Sequence, residues 1–392
     1  MKIKTVYLVV ALALVFSLVA VIVPASPAMA ADTWYVDGVQ GIDDVTHGTG
    51  SGTNAFKTIQ YAIDDGRVGN DDTIIVASGT YNEHDITINK SLTIQGAGEG
   101  GTIVDGNALS RVFHINGSYT VDMSGMTIRN GNTSADGGGL YNNGGNVTMT
   151  SCTVSGNTAY NGGGIFNASG NMTITNCTVS GNTAVSGQSG MSGGGIYNNG
   201  NVTMTNCTVS GNTADDGGGI YTESGIMVLT NCTVTNNDYE DKGGGIYISP
   251  VGGGASVKCT IVYGNYGEDI SGFLWLDGFS IVGGTDDPLL GPLQDNGGPT
   301  ETHALMTGSP AIDACILGCT VATDQRGQPR PADGDLDGIP YCDVGAYEKQ
   351  ISVGGIVEPV DKLSLLAPWL ALAALMAVAL SVMVVMRRRR LT

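Results

Sequence analysis

Basic side chains are scarce in this chain: 17 Lys and Arg stand against 36 Asp and Glu in 392 residues, for a formal charge of −19. Six of the 17 sit at the two ends, as Lys2, Lys4 and Arg387 to Arg390, while every acidic residue lies between them. A body that acidic repels phosphate backbones and excludes nucleic acid as a partner. It suits calcium, or solubility outside a cell. Between Gly137 and Asp241 there is no Lys or Arg at all. A polysaccharide lyase needs a base for the proton alpha to the carboxylate and a cation to hold that carboxylate, so this stretch lacks its machinery. The four histidines, His47, His84, His114 and His303, are too scattered for metal-ligand spacing. Aromatic residues make up only 6 % and Gly reaches 61 residues. Disorder has that composition, but disorder does not place Ile, Val and Cys at fixed intervals.

Fixed intervals are what the chain has. Gly triplets open at Gly137, Gly162, Gly193, Gly217 and Gly243, in steps of 25, 31, 24 and 26 residues. The copy GGGIYNNGNVTMTNCTVSGNTADD is the clearest. A period of this size marks a solenoid. Within a copy the apolar residues alternate at strand period. The reading is all-β: a right-handed parallel β-helix of three-strand coils, about 25 residues each, spanning residues 31–285 with clear repeats over 137–270.

In such a helix each residue lies over its copy in the next coil, about 4.8 Å away. Leu140, Ile165, Ile196, Ile220 and Ile246 then form one inward ladder, and Cys152, Cys177, Cys207, Cys232 and Cys259 another, as small buried apolar residues. Asn157, Asn182, Asn212 and Asn237 read as an amide ladder at an inner corner; Gly264 breaks it in the fifth copy. Next to each inward Leu or Ile stands an aromatic residue: Tyr141, Phe166, Tyr197, Tyr221 and Tyr247. These point outward, as a structural ladder or as a stripe on which sugar rings pack. The acid pairs Asp64-Asp65, Asp71-Asp72 and Asp215-Asp216 fall at turns and read as solvated corners. The Asn-x-Thr triplets are a by-product of the repeat.

Ahead of the repeats, degenerate strands begin near Thr73, and Ile59 to Asp65 reads as a short amphipathic helix closing the open end. Residues 1–30 read as an export signal, with Lys2 and Lys4, an apolar stretch and the cleavage-like Ala28-Met29-Ala30. Residues 350–362 read as a linker, 363–386 as a membrane-spanning helix and 387–392 as a basic cytoplasmic tail. On that reading the protein is exported and held at the cell surface. Asp333, Asp335 and Asp337, with Gly338 following, match the first half of a calcium loop, but Val344 stands where its closing Glu would be. The alternatives are a partial calcium site and a plain acidic turn.

Two segments carry a family resemblance. FKTIQYAIDDG…DDTIIVASGTYNEHDITINKSLTIQGAG, from Phe56 to Gly98, resembles the opening coils of pectin-lyase-like right-handed β-helices. The GGGIY…NCTVSGNTA copies resemble repeats of bacterial surface β-helices, including the polymorphic outer-membrane-protein type. From Asp287 to Glu348 the run DPLLGPLQDNGGPTETHALMTGSPAIDACILGC…TDQRGQPRP…CDVGAYE resembles a choice-of-anchor domain, placing a small C-terminal domain at 286–349. The resemblance implies attachment and display, and a Cys319–Cys342 disulfide; it leaves Cys315 over, and a Cys315–Cys319 pairing stays open. The leading functional expectation is therefore non-catalytic adhesion to a glycan, an envelope component or a partner cell. The runner-up is a surface polysaccharide lyase or hydrolase, for which Arg111 and Arg129 are the basic residues near enough to serve.

Overall fold

The coil written by GGGIYNNGNVTMTNCTVSGNTADD folds as four short strands, Ile196–Asn198, Asn201–Thr205, Thr208–Ser210 and Thr213–Asp216. The structure is a computed structural model that describes residues 31–350, apart from 99, 186–191, 277, 317, 318 and 320. Every neighbouring coil pairs in parallel, and the register is the one that aligned repeats require. Ile165 lies beside Ile196, Ile196 beside Ile220 and Ile220 beside Ile246. The coil has four strands where three were expected: the first two strands of the coils share one large sheet, here called the first and second faces, and the third strands build a second sheet, the third face. The short fourth strand leads back to the Gly corner.

The interior follows from this stacking. Leu140, Ile165, Ile196, Ile220 and Ile246 are fully buried, as are Met149, Ile174, Met204 and Leu229. Each such side chain contributes about 1.5–3 kcal/mol on burial, so the coils cohere through many equal small terms. The corners explain the remaining repeat letters. Ser151, Asn176, Asn206 and Asn231 all turn with φ between 50° and 53°, a left-handed conformation that Asn tolerates better than most residues. The Asn of each NCT is therefore a backbone requirement. At the Gly corner coils approach closely: a Cβ on Gly194 would lie 2.4 Å from the Thr213 carbonyl oxygen and 2.5 Å from that of Gly218.

Two amide ladders line the inside. Asn157, Asn182 and Asn212 each donate from Nδ2 to Oδ1 of the next member at 2.9 Å. The ladder does not stop at Gly264: Asn237 donates to Asn265 at 2.8 Å, and Asn265 to Asp269, so a one-residue shift is absorbed and the column runs on. The second ladder, Asn142 to Asn167 to Asn198 at 2.9 and 3.0 Å, sits between the first and second faces.

The N-terminal end is closed. Thr33–Val36 adds in parallel to Asp72–Val76, and the helix Ile59–Asp64 lies over the opening with Ile59, Ala62 and Ile63 buried. The Glu83 carboxylate accepts from the first amides of that helix, Ile59 and Gln60, at 2.8 and 3.0 Å. At the other end the strand Leu274–Leu276 pairs, among the described residues, with Gly253–Lys258 on one side only.

The C-terminal segment does not follow the helix as a separate body; it turns back and lies along the third face. Its hairpin, Leu290–Gln294 with Thr302–Leu305, sets Thr300 and Glu301 over the outward threonines, and Gln325 from farther along the segment joins them. Thr208 Oγ1 donates to Gln325 Oε1 at 2.7 Å and Thr178 Oγ1 to the Glu301 carbonyl at 2.6 Å. Farther along, the Ala346 amide donates to Thr233 Oγ1 at 3.0 Å. Cys259 leaves the set of free thiols: it is still buried, but is disulfide-bonded to Cys315 and so ties the last coil to this segment. Cys319 is bonded to Cys342. Cys152, Cys177, Cys207 and Cys232 stay reduced and buried.

One expectation is corrected. Among the described residues no helix is long and apolar enough to cross a membrane. The export signal at 1–30, the linker, the helix at 363–386 and the basic tail lie outside the described residues.

Candidate functional site

Positions that follow the inward ladder of the first face stack into one column. Its members are His114, Tyr141, Phe166, Tyr197, Tyr221 and Tyr247, each paired in register with the next. From Tyr141 on, the rings lie nearly parallel, with centroids 5.3, 4.6, 5.0 and 5.0 Å apart. Both faces of Phe166, Tyr197 and Tyr221 are therefore taken up by their neighbours. Phe166, Tyr197 and Tyr221 are 8, 3 and 4 % exposed, and Tyr141 and Tyr247 are half-buried. A sugar arriving at these three meets ring edges and hydroxyls, not the faces on which pyranoses pack.

Polar groups edge the column. Arg111 lies over the Tyr141 ring at 4.8 Å, and His114 meets the same ring edge-on at 5.2 Å. Asn161 Nδ2 donates to Asp136 Oδ1 at 3.0 Å. Tyr197 Oη donates to Glu223 Oε2. Burial pushes the Asp136 carboxyl up, against the pull of Asn161 and Arg111. Burial and the Arg111 charge hold the His114 ring below its ordinary value, so it is neutral at neutral pH. Burial, followed by the Tyr247 and Glu223 charges, pushes the Tyr221 phenol up to about 12. The strip thus presents a cation, a partly desolvated carboxyl, an amide and phenols along a flat edge, a set that hydrogen-bonds neutral hydroxyls.

Arg111 and His114 belong to this strip although their coil has no Gly triplet. Alignment on the triplets misses them; the run Phe113-His114-Ile115 set against Leu140-Tyr141-Asn142 would have found them. Arg129 is engaged elsewhere, 2.8 Å from Asp105. Two of the paired acids do structural work. Asp65 clamps Arg67 through Nε and Nη2, both at 2.9 Å. Asp72 accepts from Asp32, Trp34 and Gly69, all at 2.8 Å; burial works to raise its pKa, but these donors outweigh it and the carboxyl titrates low. His303 pins the covering segment: its ring is bonded to Ser210 Oγ at 2.9 Å and to the Gly291 carbonyl at 2.7 Å, and burial keeps it neutral. A cleft of about 430 Å³ lies by the N-terminal cap, lined by Val45, Tyr61, Asp64, Asp65, Gly66 and Arg67, with Arg67 held by Asp65.

The acidic loop brings Asp333 and Asp335 together with Asp313, their carboxylate oxygens within 4.8 Å of one another. Asp337 is not in that group and accepts from the Ile339 amide at 2.8 Å. Asp313 already accepts from the amides of Gly334, Asp335 and Tyr341 at 2.8 to 3.0 Å, which folds the loop around it. A calcium ion would take Asp313 in place of Asp337.

These features define a fold: a right-handed parallel β-helix of the pectin-lyase-like kind. Residues 111–285 match the family model of the right handed beta helix region. A solved pectate lyase, Pel9A, superposes with a TM-score of 0.51 at 16 % identity, over 81 % of this chain and 96 % of that one. The pectin methylesterase PemA from Erwinia chrysanthemi reaches 0.38 at 15 %, over 63 and 82 %. The carrot pectin methylesterase reaches 0.38 at 14 %, over 65 and 83 %. At these identities the likeness is one of fold. No curated protein matches the chain in sequence.

Proposed function

We propose that the protein is a non-catalytic binder of glycans, engaging an extended chain along the first face. The observation that carries this reading is the strip of Arg111, Asp136, Asn161 and the Tyr197–Glu223 pair beside a rigid ring stack. Its hydrogen-bonding groups are held in place by coil stacking, so little side-chain freedom is lost on binding. The resemblance of the repeats to those of bacterial surface β-helices supports adhesion to a glycan or envelope component. The test is a glycan array probed with the full chain. Asp136→Ala with Asn161→Ala should weaken binding to any retained glycan about tenfold or more, as expected for a lost hydrogen bond to a charged group. An array with no retained glycan would sink the proposal. A lyase reading rests on Arg111 close to Asp136 and His114, and new unsaturated-product absorbance from a uronate polymer, lost in Arg111→Ala, would establish it instead.

A further inference from the structure

Three carboxylates converge in the C-terminal segment. Asp313, Asp333 and Asp335 each place an oxygen within 4.8 Å of the other two. Like charges this close repel, and burial, with the Asp335 charge adding to it, pushes the Asp313 carboxyl up. The backbone nevertheless holds all three in place. Asp313 accepts from the amides of Gly334, Asp335 and Tyr341, Asp333 Oδ2 from Gly338 at 3.0 Å and Asp335 Oδ1 from Asp337 at 2.9 Å.

One atom is left over. Asp333 Oδ1 has no exposed surface, and no donor among the described residues reaches it. A buried carboxylate oxygen is costly unless something positive meets it. Neither water nor an N–H of the protein does so here, and the two neighbouring carboxylates add negative charge.

The geometry points to a calcium ion held by Asp313, Asp333 and Asp335, with Asp333 Oδ1 as one ligand. The donor set selects the ion. All three donors are carboxylate oxygens, with no Cys or His among them, a set that suits hard cations over zinc or copper. Calcium–oxygen bonds of 2.3–2.6 Å set opposite ligands about 4.6–5.2 Å apart, so oxygens within 4.8 Å of one another fit around one ion. Magnesium keeps several waters and takes one or two carboxylates, not a set of three from the protein.

The loop motif alone misplaces this site. Asp337 is outside the group, and Val344 stands where a closing Glu would be. Asp313 supplies the third carboxylate from earlier in the chain, just ahead of Cys315, which is bonded to Cys259 of the last coil. The ion therefore ties the Asp333–Asp335 loop to the stretch anchored on the helix, and stabilises the covering segment rather than the coils. Without a bidentate Glu the affinity should fall in the range of extracellular calcium modules, about 0.1–1 mM.

The test is titration calorimetry on the full chain, first freed of metal with a chelator, using calcium chloride and, for comparison, magnesium chloride. Saturable calcium binding in that range is expected, with magnesium at least about tenfold weaker. At ten times the dissociation constant, hydrogen exchange at the Gly334, Asp335 and Tyr341 amides should slow about tenfold, while second-face amides do not change. Asp333→Asn should weaken calcium at least about tenfold, and Asp337→Asn should leave it within about twofold. Circular dichroism melts without calcium establish that both variants fold. No saturable calcium binding by the unmodified chain overturns the proposal. So do equal affinity for magnesium, undiminished binding by Asp333→Asn, and an equal loss in Asp337→Asn. Should Asp333→Asn fail to fold, exchange in the unmodified chain decides: no slowing at the three amides with calcium overturns the site.

Discussion

The second and third faces of this helix are written in nearly the same letters and end up in opposite surroundings. Thr203-Met204-Thr205 and Thr208-Val209-Ser210 both set hydroxyls outward and aliphatic groups inward. Yet Thr178 and Thr208 are fully buried and Thr233 nearly so, while Thr173 and Thr203 are exposed. The difference lies in the C-terminal segment, which gives each buried hydroxyl a named partner. An outward threonine is neutral about its fate: covered, it needs a hydrogen-bond partner, and bare, water serves.

The comparison breaks most sharply at Arg330. Its side chain is fully buried, 3.1 Å from Glu348, and donates to the carbonyls of Asp343 and Gly345 at 2.8 and 2.7 Å. Arg330→Ala leaves the buried Glu348 carboxyl without its cation, which should destabilise the protein by about 3–5 kcal/mol. Denaturant unfolding measures this, and hydrogen exchange should show the third face opening ahead of the second. Gln325→Ala comes next. Its amide donates to Thr178 Oγ1 at 2.9 Å and Thr300 Oγ1 at 2.8 Å, and accepts from Thr208. Leaving those groups unpaired should cost about 2–3 kcal/mol in the same titration.

A pH effect of intermediate size should separate the two faces. Burial, with the Glu348 charge adding to it, pushes the Asp343 carboxyl up to about 8. The folded value lies above the unfolded one, near 4, so this group's contribution is complete below about 4 and is lost as pH rises through about 8. Exchange at the Ala346 amide, relative to its intrinsic rate, should therefore accelerate as pH rises between about 4 and 8 and level off above, while second-face amides stay protected, and Asp343→Asn should flatten the dependence. The smallest effect belongs to Thr173→Ala on the open face, within about 0.5 kcal/mol. A loss as large as that of Gln325→Ala would mean the second face is covered as well.

Much of the fold was legible because parallel stacking sets each residue over its own copy. The inward Leu and Ile column, the Asn157 ladder and the helix over the N-terminal opening all follow from spacing. Three features were not. His114 and Arg111 join the aromatic column through a coil with no Gly triplet, so only strand register reveals them. Alternation says that Tyr197 points out, but not that its ring would be sandwiched between Phe166 and Tyr221 and only 3 % exposed. Nor does it say that Cys259, alone in its column, would find Cys315 from a segment folding back past it.

Periodicity, a local property of the chain, determined the winding, the alternation of inside and outside, and the Asn and Gly corners, because identical neighbours force identical contacts. The tertiary structure alone decided which exterior is left bare. Whether a distant segment returns to cover one face depends on contacts separated by more than a hundred residues, such as Thr208 with Gln325, and no repeat unit carries that information.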